Sequence, residues 1–326
     1  MKIAKVAGFG ALAFSLLASA LFFTEAVAEE WKPRKPIEFV IMAGPGGGAD
    51  KMARLMQTIV EKHDLSSRPF IPVNKPGGSG AEALVYLKQK AGDDYVIMVT
   101  LNSFYTTPLR QPGLGVDITT YTPIARMAED TFLLWVHNNS GITSVDGFVA
   151  AAKEQGTEWK MAGTGRAQED ELLTRFLNKN YGLQMTYVPF KGGGAVAKQL
   201  AGEHVNSTVN NPSEALGFYE AGTVVPLAAF TPERLPLFPD TPTFKELGVD
   251  YSYFMQRSVV GAPGMSPEAA AFYQDVFKKV YESAEWQEYM KTKSLRGDFL
   301  TGEGLMEYWK KGRALHEKML SDIGDI

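Results

Sequence analysis

From Ile37 onward the chain alternates short, continuous apolar runs with longer stretches in which apolar residues recur every three to four positions. The runs at 37–42, 70–73 and 95–100 predict strands, and 49–63 and 81–90 predict the amphipathic helices between them. Strand, helix, strand in that rhythm predicts a parallel sheet and an α/β class. A second series follows, with helices expected at 144–155, 169–181, 195–201 and 213–221 and strands at 159–162, 184–188, 205–210 and 224–230. Between the two series lies 121–137, apolar at both ends, which reads as one long segment running from one lobe into the other. The return path falls at 251–262, after the Pro-rich stretch 232–242. Three final helices, at 267–281, 285–291 and 303–322, are expected to pack back on the first lobe. The division this predicts is a discontinuous first lobe, 29–130 with 250–326, and a second lobe, 131–249.

The amino-terminal end is organised differently. Lys2 and Lys5 precede an uncharged apolar run that ends near Phe23, and Ala26-Val27-Ala28 stands before Glu29-Glu30. Positive residues, apolar run and small-x-small site predict a secretory signal over 1–28, cleaved before Glu29. No Cys follows the run, so lipid attachment at a processed Cys is excluded, as are disulfides, thiolate zinc sites and a thiol nucleophile. No later stretch approaches the length of a membrane span. Without 1–28, 31 basic and 36 acidic residues remain, a net charge of −5. A mildly acidic chain without basic runs speaks against nucleic acid as a partner. An anionic ligand must then be attracted by local groups.

Three glycine-bearing loops offer such groups. Gly44-Pro45-Gly46-Gly47-Gly48 stands between the first strand and its helix, where glycine lets a ligand approach the main chain and the helix directs its positive end at the loop. A phosphate would satisfy the same physics, but the loop has neither the Gly-Lys-Ser/Thr of a P-loop nor the third glycine of the dinucleotide fingerprint, Lys51 standing in its place. Asp50 and Arg54, four apart on a helix, read as a cap and ion pair. Gly163-Thr164-Gly165-Arg166 follows a strand of the second series, and Arg166 offers two parallel hydrogen bonds to a carboxylate, or else pairs with Glu169 or Asp170. Lys191-Gly192-Gly193-Gly194 repeats the arrangement, and Asn210-Asn211 are candidate amide donors at the cleft. His63, His137, His204 and His316 lie far apart without metal spacing and read as solvated. Ser79 lacks the final glycine of a nucleophile elbow. Neither catalysis nor a cofactor or metal is called for.

In order and at sensible spacing, the motifs resemble the extracytoplasmic receptors of the tripartite tricarboxylate transporter family, also called Bug proteins. The likeness rests on Ala43–Asp50 with Ala53-Arg54, Val73-Asn74-Lys75-Pro76-Gly77-Gly78-Ser79-Gly80, Gly163-Thr164-Gly165, Val188-Pro189-Phe190-Lys191-Gly192-Gly193-Gly194, Glu233-Arg234-Leu235, Phe238-Pro239-Asp240-Thr241-Pro242-Thr243 and Gly261-Ala262-Pro263-Gly264. The resemblance implies a two-lobed periplasmic-binding-protein fold, type II-like, closing on its ligand. It implies that Gly44 to Gly48 face Gly163, Thr164, Gly165 and Lys191 to Gly194 across a cleft bordered by Asn102 and Ser103, and that together they grip one carboxylate. It further implies a periplasmic monomer that delivers a small di- or tricarboxylate, or an aromatic dicarboxylate, to integral-membrane subunits of such a transporter. Two departures stand out: Arg166-Ala167-Gln168-Glu169-Asp170 replaces a common Ser and His, and Arg257 aligns where many members carry Trp. The expectation is that Arg166 and Arg257 hold the ligand's distal charges, the alternative for Arg257 being a pair with Asp250 or Glu246. Two other functions fit the same residues: an exported α/β enzyme acting on a small organic acid, and a ligand receptor read by a membrane sensor.

Overall fold

Strand β1 (Ile37–Ile41) alternates its side chains between two apolar layers, Phe39 and Ile41 on one face and Val40 on the other. A strand covered on both faces reads in sequence as an unbroken apolar run, which is the pattern at 37–42. The structure is a computed structural model that describes Met1 and residues 31–326. Apart from Met1, the expected signal segment and the expected first mature residue Glu29 lie outside the described residues.

Helix α1 (Gly48–Lys62), β2 (Phe70–Asn74), α2 (Ala81–Gln89), β3 (Val96–Thr100), α3 (Ser103–Arg110) and β4 (Thr122–Asp130) follow β1. Across Thr131-Phe132 the chain enters a second sheet with β5 (Leu133–His137). That half continues as α4 (Val145–Gln155), β6 (Lys160–Thr164), α5 (Glu169–Tyr181), β7 (Thr186–Phe190), α6 (Gly193–Ala201), β8 (Ser207–Asn210), α7 (Pro212–Glu220) and β9 (Val224–Ala229). Strand β10 (Met255–Gly261) returns to the first sheet, and α8 (Pro267–Glu282), α9 (Ala284–Thr292) and α10 (Gly302–Asp322) end the chain. The expected single segment 121–137 is therefore two strands in two sheets. Helix α3 was not foreseen, because its buried face is Ser103, Phe104, Tyr105, Thr106 and Thr107 rather than an aliphatic stripe.

The strand orders are β2-β1-β3-β10-β4 and β7-β6-β8-β5-β9. Strands β1, β2 and β3 are parallel, as are β6, β7 and β8. The sheets are nevertheless mixed, not parallel as expected: β10 runs antiparallel to β3 and β4, and β5 runs antiparallel to β8 and β9. Each exception is a strand that arrives from the other sheet, so it needs no crossover helix and escapes the βαβ rule. Both sheets are covered on both faces. In the first lobe Phe39, Ile97 and Val259 pack with Met52, Phe277 and Trp286, while Val40, Met98 and Val260 pack with Leu84, Phe104 and Trp309. In the second, Leu134 and Met161 meet Phe148 and Leu177, and Trp135 and Ala162 meet Val196 and Leu200.

Helix α10 does more than pack on the first lobe. Leu305 and Trp309 join the first lobe's core, but Leu320 lies against Ala167 and Leu172 of the second. His316, expected to be solvated, is 2% exposed within the same helix. Its Nδ1 meets the Gly312 carbonyl at 2.7 Å and its Nε2 meets the Tyr253 hydroxyl at 2.8 Å. A carbonyl only accepts, so Nδ1 carries the proton and Nε2 accepts from Tyr253, whose oxygen in turn accepts from Asn102 Nδ2 at 3.1 Å. Burial pushes the imidazole down from 6.5 to about 4.

Because that imidazole is held neutral, its contribution to stability is complete above the unfolded value of 6.5 and is lost as the pH falls through about 4. Relative to His316→Gln, the wild-type protein should lose about 3 kcal/mol of unfolding free energy across that interval. Urea titrations of both proteins at the two ends of the interval measure it. A wild-type-to-variant difference that does not change with pH would contradict the buried neutral ring.

Candidate functional site

Among the helices that start at the carboxyl ends of parallel strands are five that follow a short loop, α1 after β1, α3 after β3, α5 after β6, α6 after β7 and α7 after β8. In open α/β sheets this is the edge where ligands bind. A helix start leaves backbone N–H groups unpaired and carries partial positive charge. None of these five helices has a side-chain hydrogen bond from its N-cap residue, whereas α4, α8 and α9 are each capped by a serine, Ser144, Ser266 or Ser283. The uncapped starts are free to take other acceptors.

Several of those acceptors are the chain's own carboxylates. Gly46 N–H donates to Asp50 at 2.9 Å, and Asp50 also accepts from Asn74 and Arg54 at 3.0 Å each, so the expected pairing of Asp50 with Arg54 is present and serves the loop. Thr164 N–H donates to Asp170 at 2.7 Å and Ala167 N–H to Glu171 at 2.6 Å. Two contacts cross between the lobes. Asn102 N–H donates to Glu169 at 3.0 Å, and the Gly48 N–H lies close enough to the Glu214 carboxyl to favour its charged form. A Cβ at Gly193 would collide with the Glu214 carboxyl, and one at Gly163 would collide with Asp170. The absence of side chains at these two glycines is what lets the acids in.

A buried ion pair stands behind the first loop. Arg257 Nη2 meets Asp130 Oδ2 at 2.5 Å, with Arg257 3% and Asp130 1% exposed, and a Cβ at Gly48 would come within 2.8 Å of the guanidinium. Burial works against the charge on Arg257, but Asp130 overrides it and holds the guanidinium above its ordinary value. The partner is thus neither Asp250 nor Glu246, which pairs with Arg234 at 3.0 Å, and Arg257 is not the unpaired cation the sequence suggested. Asn210 and Asn211 also have internal work: Asn210 Nδ2 donates to the Gly193 carbonyl at 3.1 Å and Asn211 Nδ2 to the Thr131 carbonyl at 2.7 Å. Asn102 Oδ1 accepts from Gln256 N–H at 3.0 Å, and Ser103 faces Met42 Sδ at 3.7 Å. Arg166 is exposed and forms no ion pair with Glu169, Asp170 or any other acid among the described residues. Lys191 and Gly192 are exposed in the loop after β7, which the Gly165 N–H ties to the Arg166 loop by donating to the Phe190 carbonyl at 3.1 Å.

The acids of this region are electrostatically strained. Burial pushes Glu169 up and Asp170 well up. Burial, and then the charge on Asp130, push Glu214 up to about 7. Residues Asp130, Glu169, Asp170 and Glu214 were not singled out from sequence as site residues. The legible signal was Glu169-Asp170 placed directly after a glycine loop, whereas Glu214 in the first turn behind Asn211-Pro212 reads as an ordinary helix-start acid. A surface cavity of about 450 Å³, lined by Lys75, Glu82 and Tyr86 among others, includes none of the predicted site residues. Among the described residues, no group of three His, Cys, Asp or Glu is placed to hold a metal, and no helix is long and apolar enough to cross a membrane.

Residues 52–300 match the family model described as tripartite tricarboxylate transporter family receptor. A Cupriavidus necator protein, the UPF0065 protein in the gbd 5′ region, is 25% identical over 313 residues, covering 95% of this chain and 94% of its own length. A structure from R. palustris solved with adipate superposes with a TM-score of 0.81 at 24% identity, covering 89% of this chain and 97% of that one. MatC from Rhodopseudomonas palustris, solved with bound malate, gives a TM-score of 0.79 at 18% identity, covering 88% and 99%.

Removing the guanidinium of Arg257 leaves Asp130 buried and unpaired. Arg257→Met should therefore destabilise the protein by about 3–5 kcal/mol, and the double variant Arg257→Met, Asp130→Leu should recover most of that loss. Equilibrium urea unfolding of the three variants reads the effect. A single-variant loss below about 1 kcal/mol, the range of exposed ion pairs, would mean that the pair is solvated.

Proposed function

Because the chain belongs to the tripartite tricarboxylate transporter receptor family, we propose that it captures a small organic acid outside the cytoplasm and delivers it to integral-membrane subunits of such a transporter. One observation carries this reading: uncapped helix starts from both lobes meet across the cleft, and the groups lodged there, Glu169 and Glu214, are themselves carboxylates presented by one lobe to N–H groups of the other. A ligand carboxylate is chemically the same group. The adipate and malate held by two proteins of the same fold support a dicarboxylate in particular.

In this reading the lobes are 29–130 with 250–326 and 131–249, joined by the two crossings at Thr131-Phe132 and ahead of β10, and they open to admit ligand. Gly44 to Gly48 and Ser103 line the first lobe's side. Thr164, Gly165, Lys191 and Gly192 to Gly194 line the second. Arg166 supplies the cation for the ligand's distal carboxylate, since its guanidinium is exposed and uncommitted to an acid among the described residues. Arg257 contributes as a fixed element of the wall rather than as a direct clamp. Segment 1–28 is the export signal, and the mature protein is periplasmic and monomeric. Binding of ligand rather than its turnover is the activity.

Small dicarboxylates such as malate, succinate and adipate should raise the unfolding temperature in a concentration-dependent way, by mass action on the folded state. Arg166→Ala should weaken the best dicarboxylate about ten-fold or more while changing its monocarboxylate analogue little, the loss of one charge-assisted interaction. Calorimetry on both ligands decides it. No stabilisation by any acid contradicts the receptor reading, and equal losses for the two ligands remove Arg166 from the site.

A further inference from the structure

Glu214 is placed oddly for an acid at a helix start. Pro212 fixes the first residue of α7 and puts Glu214 in the first turn, where its carboxylate could serve its own helix. Instead the carboxyl reaches the other lobe. It lies between two glycines, Gly48 of α1, whose N–H bears on it, and Gly193 of α6, where a side chain would occupy its place. Glu169, the other acid that crosses the cleft, is held by a 3.0 Å hydrogen bond from the Asn102 N–H, whereas Glu214 is met by the Gly48 N–H.

We infer that Glu214 is an internal competitor of the ligand: its carboxylate occupies the end of the glycine loop where a ligand carboxylate must sit, so the two exclude each other as charged groups. This rests on the carboxylate reading proposed above. The groups that act on Glu214 come from every element around it. Asp130 on β4 and Asp170 on α5 repel it, Arg257 on β10 and Lys51 on α1 attract it, and the Tyr289 hydroxyl of α9 lies within its field. Arg257 is committed to Asp130 at 2.5 Å, so the attraction is diluted. Burial and Asp130 together hold the carboxyl at about 7, which makes its protonation available near neutral pH. A protonated Glu214 no longer repels the arriving carboxylate and can donate a hydrogen bond to it. Ligand binding then takes up one proton where Glu214 is ionised.

Calorimetry with malate, succinate and adipate, on wild type, Glu214→Gln and Gly193→Ala from about pH 6 to about pH 9, tests this. Wild-type affinity should fall about ten-fold per pH unit above the Glu214 value, with one proton taken up per ligand at the alkaline end. Glu214→Gln should bind independently of pH, at least ten-fold more tightly than wild type at the alkaline end, and without proton uptake. Gly193→Ala keeps the charge but moves it aside, so it should flatten the pH profile in the same direction. If wild type and Glu214→Gln bind with the same affinity and pH profile, the inference is overturned while the carboxylate reading stands. If wild type binds an acid and Glu214→Gln binds none, the inference alone is overturned; if neither binds any acid at any pH, the carboxylate reading falls with it.

Discussion

The 2.5 Å pair between Asp130 and Arg257 sits where the two passages of the chain between the lobes come together. Asp130 is the last residue of β4 before the chain leaves the first sheet, and Arg257 is the third residue of β10 after it returns. Met255 lies opposite Asp130 in the antiparallel ladder, so backbone pairing and ion pair fix the same point. Both charges are removed from water, and their mutual contact, the Thr131 N–H donated to Asp130 at 3.0 Å and, for Arg257, the nearby Glu214 carboxyl make that tolerable. From this anchor the Gly48 start of α1 is positioned against the guanidinium, and Asn211 of the second lobe is tied to the Thr131 carbonyl. The two halves of the cleft are thereby registered on one buried contact.

What faces that anchor is an excess of acid. Once Asp130 and Arg257 neutralise one another, Glu169, Asp170 and Glu214 are left in a region that burial makes unfavourable for charge. Glu169 and Glu214 are partly compensated by backbone N–H groups at the starts of α3 and α1, the kind of group that binds anions, and Asp170 by the Thr164 N–H at the end of β6. On the proposed reading, an arriving anion therefore meets a site that already holds anions. Helix α10 bridges the lobes, since Trp309 is embedded in the first and Leu320 in the second, with His316 between them linked through Tyr253 to Asn102. Asn102 joins this network to Glu169 as well, so the strap helix and the interlobe contact share a residue.

Much of the architecture was legible in the residues, because strands buried on both faces and amphipathic helices announce themselves by period. The series of glycine loops falls at the carboxyl ends of the parallel strands in both sheets. Strand direction was not legible, since β5 and β10 are buried along their whole length just as the neighbouring β3 and β8 are, and what sets their direction is where the chain comes from. The division of labour among charged residues was illegible for a related reason. Arg257 reads as a ligand cation until Asp130, 127 residues away, is seen to occupy it, and His316 reads as solvated until Tyr253 covers it. Glu214 gave no sign of its reach, because what admits it is the missing side chain of Gly193 on another helix.

The central claim is that the cleft is occupied in advance by the chain's own carboxylates and that a ligand carboxylate takes over one of their places. A crystal structure of the protein grown with a stabilising dicarboxylate measures this most directly. The account predicts a ligand carboxylate hydrogen-bonded to the Gly48 N–H, the Glu214 side chain swung off Gly193 or donating a proton to the ligand, and the Asp130–Arg257 pair unchanged. A ligand bound elsewhere, with Glu214 still lodged between Gly48 and Gly193 as it is without ligand, would contradict it.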